Sequence, residues 1–291
     1  KGESLPSVLP EKLIIGLGHI LKDNKLDEAF KAYLFDVPSE SQLSQDLESA
    51  SIEEVAESVR QLTHLIGKTF YSDWERLYQE NKNPHKGDVS ARACGGRALK
   101  NQSLGMMVKS GEHKALTVLR DHQASAQTMT EEAMGLALYC QLEGVEAKAA
   151  RERFYAKWKQ EPLVMLRWMA GQARYTAPSE VLARIEAIER DPVYRSQVPN
   201  DIRGLYGAFV RSNTLGFHQK DGSGYEFIVD RIARVDGFNS QVASRLTTAF
   251  ALLPKMDIHR KGLMKKALGR LLEGKPSKDV YEMASRYLGQ A

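Results

Sequence analysis

The stretch NSQVASRLTTAF, residues 239–250, has the pattern of a helix with one apolar face. Its apolar side chains recur at spacings of three and four residues, which places them on one side of an α-helix: Val242, Leu246, Ala249 and Phe250. Gln241 and Arg245 stand one turn apart at the edge of that face. The stretch therefore predicts a helix that is buried on one side, with two polar side chains beside the buried face.

Helical periodicity of this kind extends over almost every stretch between turn signals, and no run of alternating β-branched residues reads as a strand. The predicted helices are 10–22, 25–34, 51–80, 88–108, 112–125, 130–142, 144–159, 162–174, 178–190, 200–212, 223–236, 239–253, 257–273 and 277–289. We therefore expect an all-α protein.

Local signals support these boundaries. Thr128 and Glu131 have the spacing of a capping box at a helix start. Gly274 is placed to end a helix in the left-handed conformation. The pair Gly95-Gly96 lies inside an Ala-rich helical stretch, where it predicts a close contact between helices or a kink.

The number and length of the helices favour a stack over a bundle. About fourteen helices are too many for one simple bundle, and from residue 112 they follow at a fairly even pace of roughly 32–40 residues per pair. We expect a superhelical stack of antiparallel helix pairs, an armadillo- or HEAT-like solenoid. Residues 1–291 are predicted to form a single domain, with a polar interruption at 35–50 that could act as a hinge but is not predicted to be a domain boundary.

Composition excludes several classes of protein. A chain of 291 residues that is 42% hydrophobic and 27% charged can bury a large core. Its formal charge of +4 is small and its basic residues are scattered, so we expect no nucleic acid as a partner. No apolar run approaches the length of a membrane span and no secretion signal is readable, so we expect no membrane partner and a cytoplasmic location. Cys94 and Cys140 are expected to be buried thiols.

Residue patterns for catalysis are scarce. The sequence contains no His-Glu-x-x-His zinc helix, no phosphate-binding glycine loop and no Gly-x-Ser-x-Gly turn, so we predict no catalytic residue and no metal site in this chain. Asp221-Gly222-Ser223-Gly224 precedes a strong helix and could bind an anion, but a tight turn with a helix cap explains it better. His218 beside it is expected to be a packing histidine.

Three polar residues beside apolar faces remain. Arg203 lies at the edge of a stripe formed by Ile202, Leu205, Tyr206, Phe209 and Val210, and Gln241 and Arg245 lie at the edge of the opening stretch. In one interpretation their stems cover apolar surface while their polar ends cap carbonyls or pair with an acid. In the other they form a polar strip on the concave side of a solenoid, where a guanidinium can bind a carboxylate or a peptide carbonyl.

Several motifs in order bear on this choice. They are GDVSARACGGRALKN (87–101), YAKWKQEPLVMLRWMAGQA (155–173), VPNDIRGLYGAF (198–209), FHQKDGSGYEFIVDRI (217–232), NSQVASRL (239–246) and DVYEMASRYL (279–288). Together with the opening LPEKLIIGLGHILKDNKLDEAFKAYLFDVPSE, they resemble the C-terminal helical domain of the alanyl aminopeptidase (aminopeptidase N) family over nearly the whole chain.

This resemblance implies a function in a larger protein. In that family a zinc-binding domain removes N-terminal amino acids from peptides, and the C-terminal helices cover its active site. The chain is similar to the covering domain alone, so zinc and the catalytic residues are expected in an upstream catalytic domain of the same protein. Gln241, Arg245 and Arg203 match residues that line the substrate chamber and are expected to bind or steer the peptide. The fragment alone is expected to be inactive.

Some residues depart from the family pattern. Ser240 stands where a proline is usual, and Val198 and Asp201 stand where an asparagine and an arginine are usual. These departures leave the shape of the chamber lining open. A second hypothesis is a free-standing helical-repeat adaptor that binds a peptide or protein partner on its concave face.

Overall fold

The computed structural model describes residues 6–49, 51–82 and 87–289, and all regular structure in these ranges is helical. This confirms the predicted all-α class. Contacts divide the chain into two compact units. Unit 1 comprises Lys1–Pro38 and Glu57–Tyr139, and unit 2 comprises Ser39–Ala56 and Cys140–Ala291. The first division falls within the polar stretch 35–50, whereas the predictions of a single domain and of a hinge stay predictions.

The described residues up to 140 contain eight α-helices. They are α1 (Glu11–Lys22), α2 (Glu28–Leu34), α3 (Glu40–Asp46), α4 (Ile52–Thr69), α5 (Tyr71–Glu80), α6 (Ala91–Lys109), α7 (His113–Ser125) and α8 (Met129–Cys140). The predicted helix 51–80 is interrupted at Phe70, whose backbone (φ −109°, ψ 25°) is not helical. Helix α3 was not predicted, although Ser39 and Gln42 at its start form a complete capping box.

Ten further α-helices follow within residues 141–289. They are α9 (Val145–Trp158), α10 (Pro162–Tyr175), α11 (Val181–Glu189), α12 (Pro199–Ile202), α13 (Ala208–Ser212), α14 (Thr214–Phe217), α15 (Ser223–Asp236), α16 (Ser240–Thr247), α17 (Ile258–Glu273) and α18 (Lys278–Gly289). A π-helical turn, Arg203–Gly207, connects α12 to α13, so the predicted helix 200–212 is continuous but not uniform. The predicted helix 239–253 changes after Thr247 into a 3₁₀ segment, Thr248–Lys255, which contains Pro254.

The predicted helix-end signals had different outcomes. The Thr128–Glu131 capping box is confirmed, because the Glu131 amide donates to Thr128 Oγ1 (3.3 Å) and the Thr128 amide donates to Glu131 Oε2 (3.1 Å). The prediction for Gly274 was wrong, since this glycine keeps a right-handed backbone (φ −68°). The left-handed residue is its neighbour Lys275, with φ 51°. The left-handed position that follows the helix therefore lies one residue later than the glycine indicates.

Unit 1 is organised around α6, which packs against α2, α5 and α7. The predicted close contact at the glycine pair is confirmed: a Cβ on Gly95 would lie 3.1 Å from the Ala29 backbone nitrogen. A larger side chain there would push α2 away from α6. Gly67 on α4 is more tightly constrained, because a Cβ on it would lie 2.4 Å from the Met106 carbonyl oxygen.

A buried ion pair joins α6 to α8 in unit 1. Lys100 Nζ binds Glu131 Oε1, and the two side chains are 6% and 3% exposed. Glu131 Oε2 also accepts hydrogen bonds from the amides of Gln127 and Thr128. Burial would raise the pKa of Glu131, but these contacts, led by Lys100, outweigh burial and lower its pKa to about 2. The pair is therefore ionised and fully partnered.

The core of unit 2 is aromatic at its centre. Phe217 makes edge-on contacts with Phe209, Tyr225 and Phe250, at ring-centroid distances of 5.7, 5.3 and 6.2 Å. Ile52 belongs to the same core and is completely buried. The segment 39–56 therefore contributes apolar side chains to a unit that otherwise consists of residues 140–291.

Arg260 on α17 fixes that segment in unit 2. Its guanidinium donates to Glu53 Oε1 (2.6 Å), to Asp257 Oδ2 (2.9 Å) and to the His218 carbonyl oxygen (2.8 Å). The Arg260 side chain is 7% exposed, whereas those of Glu53 and Asp257 are 44% and 43% exposed. Three acceptors thus satisfy a buried cation, and the contact with Glu53 spans 207 positions of sequence.

The cysteines are free and differ in exposure. Cys140 is buried as predicted, and burial raises the pKa of its thiol to about 12. Cys94 is exposed, so the prediction of a second buried thiol was wrong. Among the residues described, no helix combines the length and apolar character that a membrane crossing requires.

Candidate functional site

A polar groove of about 530 Å³ lies between α16 and α18 in unit 2. Among the described residues, its lining comes from these two helices: Gln241, Ser244, Arg245, Asp279, Glu282, Met283 and Arg286. Two of the three residues predicted from sequence, Gln241 and Arg245, are brought together here. The volume lies within the range typical of small-ligand sites.

Helix α16 presents Gln241 and Arg245 because its opposite side is anchored. The Asn239 side chain accepts a hydrogen bond from the Val242 amide (3.0 Å) and caps the helix start. The buried side chains of this helix are Val242, Ala243, Leu246 and Thr247. Gln241 and Arg245 are four residues apart on the other side, and both are exposed.

Helix α18 forms the second wall and is held at its start by α15. The Ser277 amide and hydroxyl donate to the two carboxylate oxygens of Asp236, at 2.7 and 2.5 Å. Val280 and Ala284 are buried, so the side of α18 that lines the groove carries Asp279, Glu282, Met283 and Arg286. The sequence prediction missed these four residues, although their spacing of three, four and seven positions marks one helix face.

The charged groups of the groove differ in how they are partnered. Asp279 Oδ2 accepts a hydrogen bond from the Ser240 hydroxyl (2.7 Å), which links the two helices at one end. Within the described ranges, by contrast, the side chains of Arg245, Glu282 and Arg286 have no hydrogen bond or ion pair to other residues. The groove therefore presents two guanidiniums and one carboxylate to solvent.

Arg203, the third predicted residue, does not line this groove. It lies on the π-helical turn, is exposed, and donates to Asn200 Oδ1 (3.2 Å). The turn itself is fixed by Tyr206, which belongs to it and whose hydroxyl donates to Glu189 Oε1 (2.8 Å). The predicted stripe beside Arg203 is buried at Ile202, Leu205, Tyr206 and Phe209, whereas its fifth member, Val210, is only partly buried.

Glu189 is the centre of the network behind that turn. Arg231 donates to both of its carboxylate oxygens, at 2.9 and 3.0 Å. Burial would raise the pKa of Glu189, but the hydrogen bonds from Arg231 and Tyr206 outweigh burial and lower it. The backbone that carries Arg203 therefore rests on an ionised, bidentate pair.

The other residues singled out from sequence have structural contacts. His218 is buried with Nδ1 2.8 Å from the Tyr225 hydroxyl, which confirms a packing histidine. Asp221 accepts a hydrogen bond from the Ser223 amide (2.9 Å), which confirms the predicted tight turn. The predicted side-chain cap was wrong, because Gly222 is the N-cap of α15 and no described side chain caps that helix start. Asp201, one of the departures from the family pattern, is buried and binds Arg195 through both oxygens, at 2.8 and 2.9 Å.

No group of three or more histidine, cysteine, aspartate or glutamate side chains in the described ranges could hold a metal ion.

Fold and groove together define an all-α helical-repeat domain with an open polar site. Residues 3–289 match a family model described as a domain of unknown function, DUF3458_C, with ARM repeats. The chain belongs to this family, and the match confirms the predicted armadillo-type repeat architecture.

Curated relatives agree with the predicted resemblance to the aminopeptidase N family. The chain is 31% identical to aminopeptidase N of Caulobacter vibrioides over 280 residues, which are 96% of the chain and 32% of that protein. It is 30% identical to aminopeptidase N of Escherichia coli over 97% of the chain, which is again 32% of the relative. The chain thus spans about a third of the length of the curated relatives it matches.

A solved structure gives the same result. The crystal structure of Legionella pneumophila aminopeptidase A in complex with aspartic acid matches with a TM-score of 0.88 and 25% sequence identity. The match covers 100% of this chain and 35% of that one. The resemblance predicted from sequence motifs is therefore confirmed by family model, sequence and structure.

Proposed function

We propose that this chain is the C-terminal domain of a zinc aminopeptidase and covers the active site of that enzyme. The observation that carries the proposal is its match, over nearly all its length, to about a third of two aminopeptidases N. In this proposal the zinc ligands and catalytic residues belong to another part of the same polypeptide. The chain itself excludes water from the bound peptide and positions it.

The groove supports a role in peptide binding. Arg245 and Gln241 offer hydrogen-bond donors to solvent. No described residue forms a hydrogen bond or an ion pair with the Arg245 guanidinium. A guanidinium matches carboxylates and carbonyls geometrically, so these side chains suit a peptide beyond its first residue. Arg203 is proposed to act in the same way from the π-helical turn, outside this groove.

A comparison of two proteins tests the proposal. The full-length gene product should bind zinc and release N-terminal amino acids from peptides. The 291-residue chain should hydrolyse no aminoacyl reporter, and circular dichroism serves as the control that this chain is folded. Zinc-dependent turnover by the 291-residue chain would overturn the proposal. So would a full-length product that lacks aminopeptidase activity, which would favour the helical-repeat adaptor.

A further inference from the structure

The side of α18 that faces the groove has no role in the function proposed so far. It adds Glu282, Met283 and Arg286 to the two residues predicted on α16. Arg286 follows Glu282 by four positions, so the two side chains lie one turn apart on the same face. The groove therefore has a second guanidinium, contributed by a different helix from Arg245.

The two guanidiniums of the groove are unpaired, in contrast to three arginines elsewhere in unit 2. Arg231 is paired with Glu189, Arg260 with Glu53 and Asp257, and Arg270 with Glu226 and Asp230. Arg245 and Arg286 are exposed and have no acidic partner among the residues that the structure describes. Each can therefore offer a planar set of N–H donors to a ligand without breaking an existing pair.

The charge of the lining limits the ligand. Two arginines and two acids, Asp279 and Glu282, give a formal sum of zero. A polyanion such as nucleic acid or a polyphosphate requires a clear positive excess, which the groove does not provide. A single carboxylate bound between the guanidiniums is compatible with this balance, and its preferred position lies away from Glu282.

We propose that Arg245 and Arg286 bind the C-terminal carboxylate of a short peptide in this groove, and that Glu282 weakens that binding by repulsion. The choice of a peptide as the ligand rests on the proposed function, because a free carboxylate is the anionic group that every unmodified peptide carries. The partly buried Met283 provides an apolar surface for a side chain near that terminus.

Binding of a blocked peptide to the full-length protein tests this site without hydrolysis. The probe is N-acetyl-trialanine, as the free acid and as the C-terminal amide, because an acetylated N-terminus is not an aminopeptidase substrate. Calorimetry should give an affinity about fivefold higher for the acid, the size expected for a partly exposed charged pair. Arg286→Gln should reduce the acid-to-amide ratio to about one, and Glu282→Gln should increase it.

The matched control is Lys265→Gln, which removes one exposed positive charge from α17 in the same unit but outside the groove. It should leave the acid-to-amide ratio unchanged. Each ratio is measured within a single protein, so partial unfolding of a variant cancels. A wild-type ratio near one, no measurable binding of either peptide, or an unchanged ratio in Arg286→Gln would overturn the site.

The same material separates this site from the proposed function. Carboxylate-dependent binding by a protein that hydrolyses no free-amine peptide would support the groove and contradict the aminopeptidase role. Hydrolysis with no carboxylate dependence would support the aminopeptidase role and contradict the groove.

Discussion

The buried ion pair of unit 1 and the open groove of unit 2 use the same kinds of side chain for different purposes. Lys100 and Glu131 lie between α6 and α8 with every charged atom close to a partner. The groove between α16 and α18 contains Arg245, Glu282 and Arg286. The side chains of these three residues have no hydrogen-bond or ion-pair partner in the described part of the chain. Burial with a partner predicts a contribution to stability, whereas exposure without one leaves a charge available to a ligand.

The largest expected effect comes from breaking the buried pair. Lys100→Met leaves the carboxylate of Glu131 buried without its cation, so the free energy of unfolding should fall by about 3–5 kcal/mol. Chemical denaturation followed by circular dichroism measures this loss. The exposed Lys265→Met serves as the control and should change stability by less than about 0.5 kcal/mol. Equal losses of stability in Lys100→Met and Lys265→Met would contradict the claim that a buried, paired charge contributes more to stability than an exposed one.

Arg260 tests an intermediate case, because the arginine is buried and its carboxylate partners are half exposed. Arg260→Met should cost about 2 kcal/mol, mostly from the His218 carbonyl that loses its donor, since Glu53 and Asp257 can turn to water. The same denaturation assay applies. A cost equal to that of Lys100→Met would show that partner exposure does not set the penalty.

The buried pair also predicts a smaller effect of acid. The pKa of Glu131 is lowered from 4.5 to about 2 in the folded protein, so its contribution is complete above pH 4.5 and is lost as the pH falls towards 2. Stability measured at several pH values below 5 should therefore fall less steeply in Glu131→Gln than in the unsubstituted protein. Parallel curves would contradict an ionised Glu131.

The groove is expected to show the smallest effect on stability. Arg286→Gln removes no hydrogen bond or ion pair within the described residues, so the free energy of unfolding should change by less than about 0.5 kcal/mol. Thermal unfolding checks this directly. A loss above about 1 kcal/mol would mean that Arg286 has a structural role and is not free for a ligand.

Periodicity alone predicted the all-α class and most helices, because the apolar faces that it detects are the faces the fold buries. It failed where the backbone departs from regular geometry without a clear local signal. The interruption at Phe70 and the left-handed Lys275 are examples, since neither residue type usually marks such a position. Helix α3 was missed because a polar stretch hid its Ser39–Gln42 capping box.

Only one of the two walls of the candidate site, the one on α16, was predictable from sequence. Spacing placed Gln241 and Arg245 at the edge of one helix, but a groove requires a second helix, and sequence does not reveal that α18 packs against α16. Nor does sequence separate the paired Arg231 and Arg260 from the unpaired Arg245 and Arg286. Their partners lie up to 207 positions away, so only the fold shows which arginines are occupied.

The most direct test of the account compares two substrates in the full-length protein carrying Arg245→Ala. If this guanidinium binds peptide beyond the first residue, kcat/KM for a tetrapeptide should fall by about tenfold, as expected for loss of a charge-assisted hydrogen bond. The value for a single-residue aminoacyl reporter, and the zinc content, should stay within about twofold. Equal changes for the tetrapeptide and the reporter would contradict the proposal that the groove binds substrate.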